Sequence, residues 1–399
     1  MKKMISDRVA ETKPSITLAI TAKAKEMVKS GEDVVGFGAG EPDFDTPEFI
    51  KDGAIQAIKD GHTKYTPATG VLELRELISE KLKNDNGLSY TPDQILVNSG
   101  AKHSLSTAFQ SILNEGDEVL VPVPYWVSYP EIVRIAGGKP VFVETKEEDD
   151  FKLTGATFEE SITDKTKAIY INSPSNPVGA IYSKEELKEI ADIAVKHQIY
   201  VVSDEIYEKL IYDGDEHVSI ASLNEDIKKL TIVVNGMSKS HAMTGWRLGY
   251  TAANPEVAKA MGTIQGHAVS HPSSITQYAG IAALKCPECV LDGMLSEYDK
   301  RRKYCMERLD KIEELSYIYP KGAFYVFINV SWLFGKKYRG TLIKGSMDFA
   351  NLILENEKVA LVPGVAFGAD KFVRISYATS MEEIGKGIDR IEKFIKEVE

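Results

Sequence analysis

Strand-like and helix-like patterns alternate through the middle of the chain. Short apolar runs rich in valine and isoleucine are typical of buried strands, and an apolar residue every three or four positions is typical of a helix. Two such helical segments are His103–Leu113 and Lys184–His197. The pattern predicts seven strands, at Gln94–Asn98, Glu118–Val121, Pro140–Glu144, Ala168–Asn172, Ile199–Ser203, Leu230–Asn235 and Arg247–Ala252. Strands separated by helices form a mainly parallel sheet that is covered on both faces.

The C-terminal part of the chain predicts a second, smaller α/β unit. Its expected elements are helices at Ser296–Ile312, Ser346–Asn356 and Met381–Val398 and short strands around Tyr325–Ile328 and Phe372–Ser376. The first residues contain one helical segment, Thr17–Lys29, and are expected to fold back onto this unit. We therefore predict an N-terminal arm and part of the small domain in residues 1–45, a large domain in 46–295 and a small C-terminal domain in 296–399.

Composition and charge narrow the class of protein. The 399 residues are 43% hydrophobic and 27% charged, as in an ordinary soluble globular protein. The formal charge of −11 argues against a nucleic-acid partner, because binding to phosphates needs a basic face. No apolar run reaches membrane-spanning length and the first residues lack a signal-peptide core, so no membrane partner is expected. Three cysteines are too few for a disulfide framework, which favours the cytoplasm.

Neither the cysteines nor the histidines predict a metal site. Cys286-Pro287-Glu288-Cys289 has the spelling of a CxxC motif, but it lacks the preceding strand of a redox motif and the second ligand pair of a zinc site. Incidental packing or exposed thiols are the better interpretation. The seven histidines show no HxH or HxxxH spacing, so no metal is assigned.

The strongest chemical signal follows the sixth predicted strand. Lys239 lies where open α/β sheets place their ligands, and Ser238 and Arg247 can converge on a phosphate as donor and bidentate fork. Asp204 and Tyr207 follow the fifth strand. The carboxylate of Asp204 could keep a pyridine nitrogen protonated, and the phenol of Tyr207 could donate a hydrogen bond to a ring oxygen. A strand-end cap and a packing role are the plain alternatives for these two. Together the five residues match the needs of an enzyme that uses pyridoxal phosphate (PLP).

Other candidates lie at the ends of neighbouring strands. Gly100, Ala101 and Lys102 begin a helix after a strand, where free N–H groups can bind a phosphate. Trp126 can stack on a flat ring, and Asn176, which precedes a proline, can direct its amide at a ligand. The alternatives are a plain helix start, a core tryptophan and an ordinary turn.

Two further positions carry a functional and a plain interpretation. Gly36-Phe37-Gly38-Ala39-Gly40 imitates a dinucleotide fingerprint, but the next residues do not open a helix, which excludes a nicotinamide dehydrogenase. The glycines then indicate a turn or, at Gly40, a close approach of backbone to a small ligand. Arg374 alternates with apolar neighbours, so it lies either on a solvent face or buried as a fork for a carboxylate.

Six of these motifs, in order and over nearly the whole chain, resemble the class I aspartate aminotransferases of PLP fold type I. The motifs are Gly40-Glu41-Pro42-Asp43-Phe44, Tyr65-Thr66-Pro67, Asn176-Pro177, Ser203-Asp204-Glu205-Ile206-Tyr207, the run from Ser238-Lys239 to Gly249, and Arg374-Ile375-Ser376. The resemblance implies a homodimer with shared active sites and a Schiff base between PLP and Lys239. It further implies a set of roles: Asp204 on the ring nitrogen, Tyr207 and Asn176 on the ring oxygen, Trp126 on the ring face, Gly100, Ala101, Ser238 and Arg247 on the phosphate, and Tyr65 reaching the phosphate of the neighbouring subunit.

The substrate contacts are also taken from the resemblance. It implies that Arg374, with Asn176 and the backbone of Gly40, binds the α-carboxylate. In the similar prokaryotic subgroup, a lysine at the position of Lys102 binds the distal carboxylate, and Ser15 is expected to assist. Some members of that subgroup accept prephenate, with a lysine at the Lys13 position implicated, so prephenate stays open.

The expected reaction is transfer of the amino group of L-aspartate to 2-oxoglutarate, which gives oxaloacetate and L-glutamate. Two alternatives on the same fold stay open: an aminotransferase of broader range, acting on prephenate or aromatic amino acids, and a PLP-dependent carbon–sulfur lyase. A regulator that binds PLP without catalysis would carry a separate DNA-binding domain, for which this chain has neither length nor charge.

Overall fold

The computed structural model describes residues 5–12, 14–286 and 288–399. Its strands are β1 (Val35–Gly36), β2 (Ile95–Asn98), β3 (Glu118–Val123), β4 (Lys139–Glu144), β5 (Thr166–Asn172), β6 (Tyr200–Asp204), β7 (Thr231–Gly236), β8 (Gly249–Ala252), β9 (Ser316–Tyr317), β10 (Tyr325–Asn329), β11 (Lys337–Tyr338), β12 (Thr341–Leu342), β13 (Val359–Ala360), β14 (Val362–Pro363) and β15 (Phe372–Ser376). Its helices are α1 (Asp7–Glu11), α2 (Ile16–Lys29), α3 (Glu48–Lys59), α4 (Leu72–Asn86), α5 (Ala101–Ile112), α6 (Tyr129–Ile135), α7 (Gly155–Glu160), α8 (Lys184–His197), α9 (Glu225–Leu230), α10 (Pro255–Ala268), α11 (Ser274–Leu284), α12 (Glu288–Leu309), α13 (Ser346–Glu357) and α14 (Met381–Lys396).

Seven strands form the main sheet, in the order β2-β8-β7-β6-β5-β3-β4. Only β8 is antiparallel to its neighbours, and the remaining pairs are parallel. The prediction of a mainly parallel seven-stranded sheet is confirmed, as are all seven predicted strands. Their ends differ by a few residues: Arg247 and Leu248 precede β8 because Arg247 has a left-handed backbone, with φ of 55°.

The apolar runs are continuous because both faces of the main sheet are buried. Successive strand residues point to opposite faces, and here Val202 packs with Phe109 of α5 while Val201 packs with Ile190 of α8. Burial on both sides leaves no position for a polar face, which is why these strands lack polar–apolar alternation. The sheet is thus a rigid base for the loops at its edge.

The C-terminal part forms a second, four-stranded sheet in the order β14-β15-β10-β9, with antiparallel pairing throughout. Helices α12, α13 and α14 share one apolar core with it. Near the N-terminus, Val35 and Gly36 pair in parallel with Val359 and Ala360, so the start of the chain joins this part of the molecule. The division into three sequence ranges remains a prediction.

The site is positioned by the carboxyl ends of the parallel strands. β2 ends at Asn98, β5 at Asn172, β6 at Asp204 and β7 at Gly236, and parallel strands bring their carboxyl ends to one edge of the sheet. Each is followed by a loop or helix that carries predicted site residues. In the part of the chain that the structure describes, no helix has the length and apolar character needed to span a bilayer.

Candidate active site

One cavity collects most of the residues that the sequence singles out. Its volume is about 580 Å³, within the range of roughly 300–1,000 Å³ that is usual for small-molecule sites. Two predicted residues, Gly100 and Tyr65, do not line it. The predicted residues that do are Ser15, Gly40, Ala101, Lys102, Trp126, Asn176, Asp204, Tyr207, Ser238, Lys239, Arg247 and Arg374.

Lys239 lies three residues beyond β7, and its Nζ donates a hydrogen bond to the backbone oxygen of Gly40. Burial lowers the pKa of Lys239 to about 8, against an opposing effect of the Glu41 carboxylate. That carboxylate also accepts a hydrogen bond of 2.9 Å from Oγ1 of Thr244. A lysine with this pKa is partly neutral near pH 7, so it can act as a nucleophile and as a base.

Asp204 is the last residue of β6 and its side chain is buried at the bottom of the cavity. Its Oδ2 accepts a hydrogen bond of 2.9 Å from the hydroxyl of Tyr129, and its Oδ1 accepts one of 3.2 Å from the backbone of Ile206. Burial nonetheless raises the pKa of Asp204 to about 6. Such a carboxylate favours a cationic partner, which would stabilise its ionised form.

Arg374 is a buried cation that has no anionic partner among the residues that the structure describes. The residue is 2% exposed, and its Nη1 and Nη2 donate to uncharged oxygens, of the Asn176 side chain at 2.9 Å and of the Gly38 backbone at 3.0 Å. Its Nε has no hydrogen-bond partner among the described residues. Burial lowers the pKa of Arg374, yet a guanidinium stays protonated at any physiological pH. An enclosed guanidinium with a free donor is a receptor for an anion.

Tyr207 and Tyr325 connect the two sheets beside Arg374. Their hydroxyl oxygens are 2.9 Å apart, and the Arg374 guanidinium lies 4.3 Å from the centre of the Tyr325 ring. Burial raises the pKa of the Tyr207 hydroxyl, so it remains a donor. The phenol predicted from β6 is therefore placed next to the arginine predicted from β15.

The start of α5 and the Arg247 guanidinium form a compact cationic corner. Gly100 is the N-cap residue of α5 with φ of 85°, and no side chain caps this helix end. A Cβ on Gly100 would lie 2.5 Å from Nη2 of Arg247, so no other residue fits there without displacing the guanidinium. Arg247 is oriented by a hydrogen bond of 2.8 Å to the backbone oxygen of Thr244. A helix N-terminus beside a guanidinium is suited to a phosphate.

Lys102, Trp126 and Ser15 occupy the remaining wall. Nζ of Lys102 lies 4.8 Å from the centre of the Trp126 ring, and burial together with Arg247 lowers the pKa of this lysine. Ser15 is the N-cap of α2, and its hydroxyl accepts a hydrogen bond from the backbone of Leu18 at 3.4 Å. Lys13, which the prephenate hypothesis invokes, lies outside the described residues.

The profile of the family described as aminotransferase class I and II matches residues 32–391 of this sequence. The chain belongs to the class I and II aminotransferases. Similar proteins include the aspartate aminotransferase of Bacillus sp. (strain YM-2), which is 49% identical over 99% of this chain and 100% of its own. The probable aspartate/prephenate aminotransferase of Aquifex aeolicus is 46% identical over the full length of both chains. The solved structure of the Thermus thermophilus aspartate aminotransferase with maleate matches with a TM-score of 0.93 and 43% identity, over 98% of this chain and 100% of that one.

This family uses pyridoxal phosphate, and the described residues of this aminotransferase fit that group. Arg247 packs against Gly100 at the N-terminus of α5, which places a guanidinium beside free backbone N–H groups, and Asp204 is a buried carboxylate for a protonated ring nitrogen. Lys239 supplies an amine of lowered pKa in the same cavity. The fold expected from the resemblance, PLP fold type I, is confirmed by the match to known aminotransferase structures.

Tyr65 does not enter the cavity of its own chain. Its side chain is 90% exposed, and its ring contacts the edge of His271 with centres 5.6 Å apart. A tyrosine that projects into solvent is available to another copy of the aminotransferase. Its predicted role in a neighbouring subunit remains a prediction.

Several residues of the cavity are absent from the predictions made from the sequence. Tyr129 donates to Asp204, and Tyr325 bridges Tyr207 and Arg374. Glu41 lies within a motif that was noted for its glycine, and its pairing with Thr244 needed the fold to bring the two loops together. Among these residues only Glu41 carried a usable signal, since an ionisable side chain follows the Gly40 turn directly.

A cluster of possible metal ligands lies beside the strand of Asp204 and already has partners within the protein. Glu205, Glu208 and His217 place their ligand atoms within 4.8 Å of one another. The Lys81 ammonium forms an ion pair with Glu208, and Nε2 of His217 lies 3.0 Å from Glu205. The Lys81 ammonium is therefore already paired with one of the three possible ligands, Glu208. As for the CxxC motif, Pro287 and the Cys289 side chain are outside the described residues.

Proposed function

We propose that this protein transfers the amino group of L-aspartate to 2-oxoglutarate with pyridoxal phosphate as cofactor, giving oxaloacetate and L-glutamate. One observation carries the proposal: Lys239, whose pKa is about 8, and Arg374, a buried guanidinium with an unpaired Nε, line the same cavity. The first suits proton transfer and the second suits a carboxylate. The name of the Bacillus relative, aspartate aminotransferase, supports aspartate as the amino donor.

We assign the cofactor contacts to the residues that surround the lysine. Lys239 is the attachment point, Asp204 holds a proton at the ring nitrogen, and Tyr207 and Asn176 donate to the ring oxygen. Trp126 covers the ring face. The phosphate contacts are Gly100, Ala101, Lys102, Ser238 and Arg247, together with Tyr65 from a second copy of the chain.

When bound, the cofactor stabilises negative charge at the substrate α-carbon by drawing electrons into its protonated ring. Asp204 supports this by keeping a positive charge on the ring nitrogen. Lys239, as a neutral amine, removes the proton from the substrate Cα and later returns a proton, a role worth about 10²–10⁴-fold in rate. Closure of the cavity around these groups would exclude water from the carbanion.

We assign both ends of the substrate to cations. Arg374, assisted by Asn176 and the backbone of Gly40, binds the α-carboxylate, which removes the cost of burying an unpaired guanidinium. Trp126 packs against the bound substrate. Lys102 and Ser15 bind the distal carboxylate. Maleate, which the Thermus structure holds, is a dicarboxylate, and this supports a site with two cationic ends.

A broader substrate range is the second candidate. The name of the Aquifex relative, probable aspartate/prephenate aminotransferase, favours prephenate as an additional amino acceptor. Prephenate also carries two carboxylates, so the same pair of cations suits it. The two candidates are separated by measuring kcat/KM for 2-oxoglutarate and prephenate with one amino donor.

We further propose that the protein is a homodimer with shared active sites and that it acts in the cytoplasm. The exposed Tyr65 ring supports the dimer, because it cannot serve its own cavity in this orientation. The scarcity of cysteines supports a reducing compartment. Sedimentation equilibrium tests the dimer, and cell fractionation tests the location.

The proposed reaction is tested by its first half. Purified protein loaded with PLP is mixed with L-aspartate in the absence of any oxo acid, while the absorption spectrum is recorded and oxaloacetate is assayed. We expect conversion of the lysine-bound cofactor to its pyridoxamine form, with one oxaloacetate released for each converted site. A bound cofactor that ignores aspartate but reacts with an aromatic donor supports the broader aminotransferase, and release of a sulfur product from cysteine supports a lyase. Failure to bind PLP contradicts the assignment of Lys239.

A further inference from the structure

Two neighbouring segments that the proposed function assigns to phosphate binding are both held by one buried amide side chain. The first is the cup turn, residues 98–101, which links the end of β2 to the start of α5. The second is the Tyr65 segment, residues 65–70, which carries the exposed tyrosine. Gln265 of α10 contacts both, and its side chain is 0% exposed.

The hydrogen bonds of Gln265 use both ends of its amide. Its Oε1 accepts from Nδ2 of Asn98 at 2.7 Å. Its Nε2 donates to the backbone oxygens of Val97 at 2.8 Å and Ala68 at 2.5 Å. One side chain thus fixes the last residues of β2 and the middle of the Tyr65 segment.

Asn98 carries this link to the cup turn. Its Oδ1 accepts from the hydroxyl of Ser104 on α5 at 2.9 Å, and its backbone oxygen accepts from the N–H of Gly100 at 2.8 Å. Asn98 is itself 0% exposed. A buried amide with all of these partners holds one orientation, because each lost bond leaves an unsatisfied polar group.

The Tyr65 segment has little freedom to move independently of β2. The backbone N–H of Val97 donates to the oxygen of Thr69 at 3.0 Å. Gly70 has φ of 98°, and a Cβ there would lie 2.6 Å from Cγ2 of Val97. The segment therefore packs directly on the strand that ends at the cup turn.

A second buried amide provides a natural comparison. Gln277 of α11 is also 0% exposed. Its Nε2 donates to Oγ1 of Thr66 at 3.0 Å and to the oxygen of Pro272 at 2.9 Å, while its Oε1 accepts from the N–H of Val71 at 2.8 Å. Gln277 thus holds the Tyr65 segment and has none of the contacts to β2 and Asn98 that Gln265 makes.

We propose that Gln265 is a positioning residue for phosphate binding in two sites at once: its own, through Asn98 and the cup turn, and that of the partner subunit, through Tyr65. This rests on the proposed function, which places the cofactor phosphate at the cup turn and Tyr65 in the partner cavity. It follows that the cup turn of one subunit moves together with the Tyr65 side chain that the same subunit places in the partner's cavity. The two sites of the dimer are therefore mechanically coupled through α10.

The test compares Gln265→Met with Gln277→Met, since methionine keeps the length of glutamine and removes its hydrogen bonds. Dissociation constants for PLP and for pyridoxal, which lacks the phosphate, are measured on cofactor-free protein. We expect Gln265→Met to weaken PLP by about tenfold, the effect of losing one hydrogen bond to the phosphate when the cup turn or Tyr65 shifts, and to change pyridoxal by less than about twofold. Equal losses for both ligands, or no loss for either, would overturn the proposal.

The same pair in a Tyr65→Phe background separates the two routes. Gln277→Met should then have no further effect on PLP affinity, because it acts only through the Tyr65 segment. Gln265→Met should still weaken PLP, through Asn98. If the two variants behave alike in this background, the route through the cup turn is wrong. Should Gln265→Met fail to fold, Gln265→Glu carries the same prediction with a smaller loss of about threefold, because a protonated glutamic acid keeps one acceptor and one donor.

Failure of this inference is distinguishable from failure of the proposed function. If the unmodified protein binds no PLP, both are overturned. If it binds PLP and Gln265→Met binds it equally well, only the inference is overturned. If the protein sediments as a monomer, the route to a partner site is wrong. The route through Asn98 is then decided by the dissociation constants of Gln265→Met for PLP and pyridoxal.

Discussion

Two cations, the partly buried Lys239 and the buried Arg374, face one cavity from the seven-stranded and the four-stranded sheet, and desolvation has opposite consequences for them. Lys239 follows a strand of the seven-stranded sheet, and its pKa falls to about 8. Arg374 lies in the four-stranded sheet and keeps its charge, because a guanidinium does not lose its proton in proteins. The lysine responds to burial by becoming a base, whereas the arginine can respond only by binding an anion.

The cavity combines groups for proton transfer with a group for binding a carboxylate. The main sheet supplies groups whose protonation can change, Lys239 and Asp204. The small sheet supplies Arg374, whose charge is fixed and whose direction is set by Asn176 and the Gly38 backbone. The residues for the reaction chemistry thus come from the main sheet, and the residue that binds the substrate carboxylate comes from the small sheet. A ligand that contacts both residues links the two sheets.

The comparison is tested most strongly at the lysine. Lys239→Ala removes the attachment point and the base, so we expect kcat to fall by about 10⁴-fold, the upper end for a positioned acid–base group. Cofactor affinity should fall much less, because the other contacts remain. Stopped-flow turnover with aspartate measures the first effect, and equilibrium dialysis of PLP measures the second.

The control for this variant is Lys209→Ala, which removes a lysine outside the cavity that pairs with Asp85. It should keep turnover within about twofold, as expected for the loss of a partly exposed ion pair. Near-normal turnover of Lys239→Ala would contradict the assignment of this lysine as the base.

At the arginine, the expected loss is smaller and is confined to substrate. Arg374→Gln leaves a side chain that can donate but carries no charge, and a lost buried charge–carboxylate contact costs about 2–5 kcal/mol. We therefore expect kcat/KM for aspartate to fall by about 30- to 5,000-fold, with the PLP spectrum unchanged. Arg374→Lys should recover only part of this, because an ammonium lacks the bidentate fork. Equal damage to cofactor binding would show that the two cations do not have separate tasks.

The residues on the main-sheet side of the site are more completely predictable from the sequence than those on the small-sheet side. Lys239 and Asp204 stand at the ends of apolar strands, and parallel topology alone brings such ends to one edge. Arg374 was recognisable as a fork, but its burial and its free Nε depend on how the second sheet packs on the first. Tyr129 was overlooked because its bond to Asp204 joins residues 75 positions apart, and no local pattern records a contact between a helix and a strand end.

The buried carboxyl of Asp204 is expected to reduce the free energy of unfolding of the cofactor-free protein at neutral pH. Its pKa in the folded protein, about 6, exceeds the value of about 4 for an unfolded chain. Between these values the folded state binds more protons than the unfolded state, so stability of the cofactor-free protein falls as pH rises from about 4 to about 6. Asp204→Asn should remove roughly 3 kcal/mol of this dependence.

Urea unfolding of the cofactor-free protein at pH 4.5 and pH 7 measures this difference, with the exposed Asp164→Asn as control. The Asp204→Asn variant should gain stability relative to the parent at pH 7 and less at pH 4.5. A parallel response of the two variants would mean that Asp204 is not desolvated in solution.

Lys102 is a third cation of the cavity, and its behaviour is expected to be intermediate between that of Lys239 and that of Arg374. It is packed near Trp126, and burial with Arg247 lowers its pKa. If it binds the distal carboxylate, Lys102→Met should reduce kcat/KM for aspartate by about tenfold, typical of one partly solvated charge contact. Phenylalanine, which has no second carboxylate, should lose less than aspartate, because only the contact of Lys102 to the cofactor phosphate is then removed. Equal losses for both donors would assign Lys102 to the cofactor alone.

The smallest effect expected is at Glu41, which opposes the influence of burial on Lys239. Its carboxylate raises the pKa of the lysine, and Thr244 holds it in place. Glu41→Gln keeps a partner for Thr244 and removes the charge, so the pKa of Lys239 should fall further, by about half a pH unit for an interaction of about 0.7 kcal/mol. The rate of lysine carbamylation against pH in the cofactor-free protein, followed by mass spectrometry, reports this pKa directly. An unchanged profile would mean that burial alone sets the pKa of Lys239. A lowered pKa would mean that Glu41 also sets it, from the loop whose Gly38 oxygen accepts a hydrogen bond from Arg374.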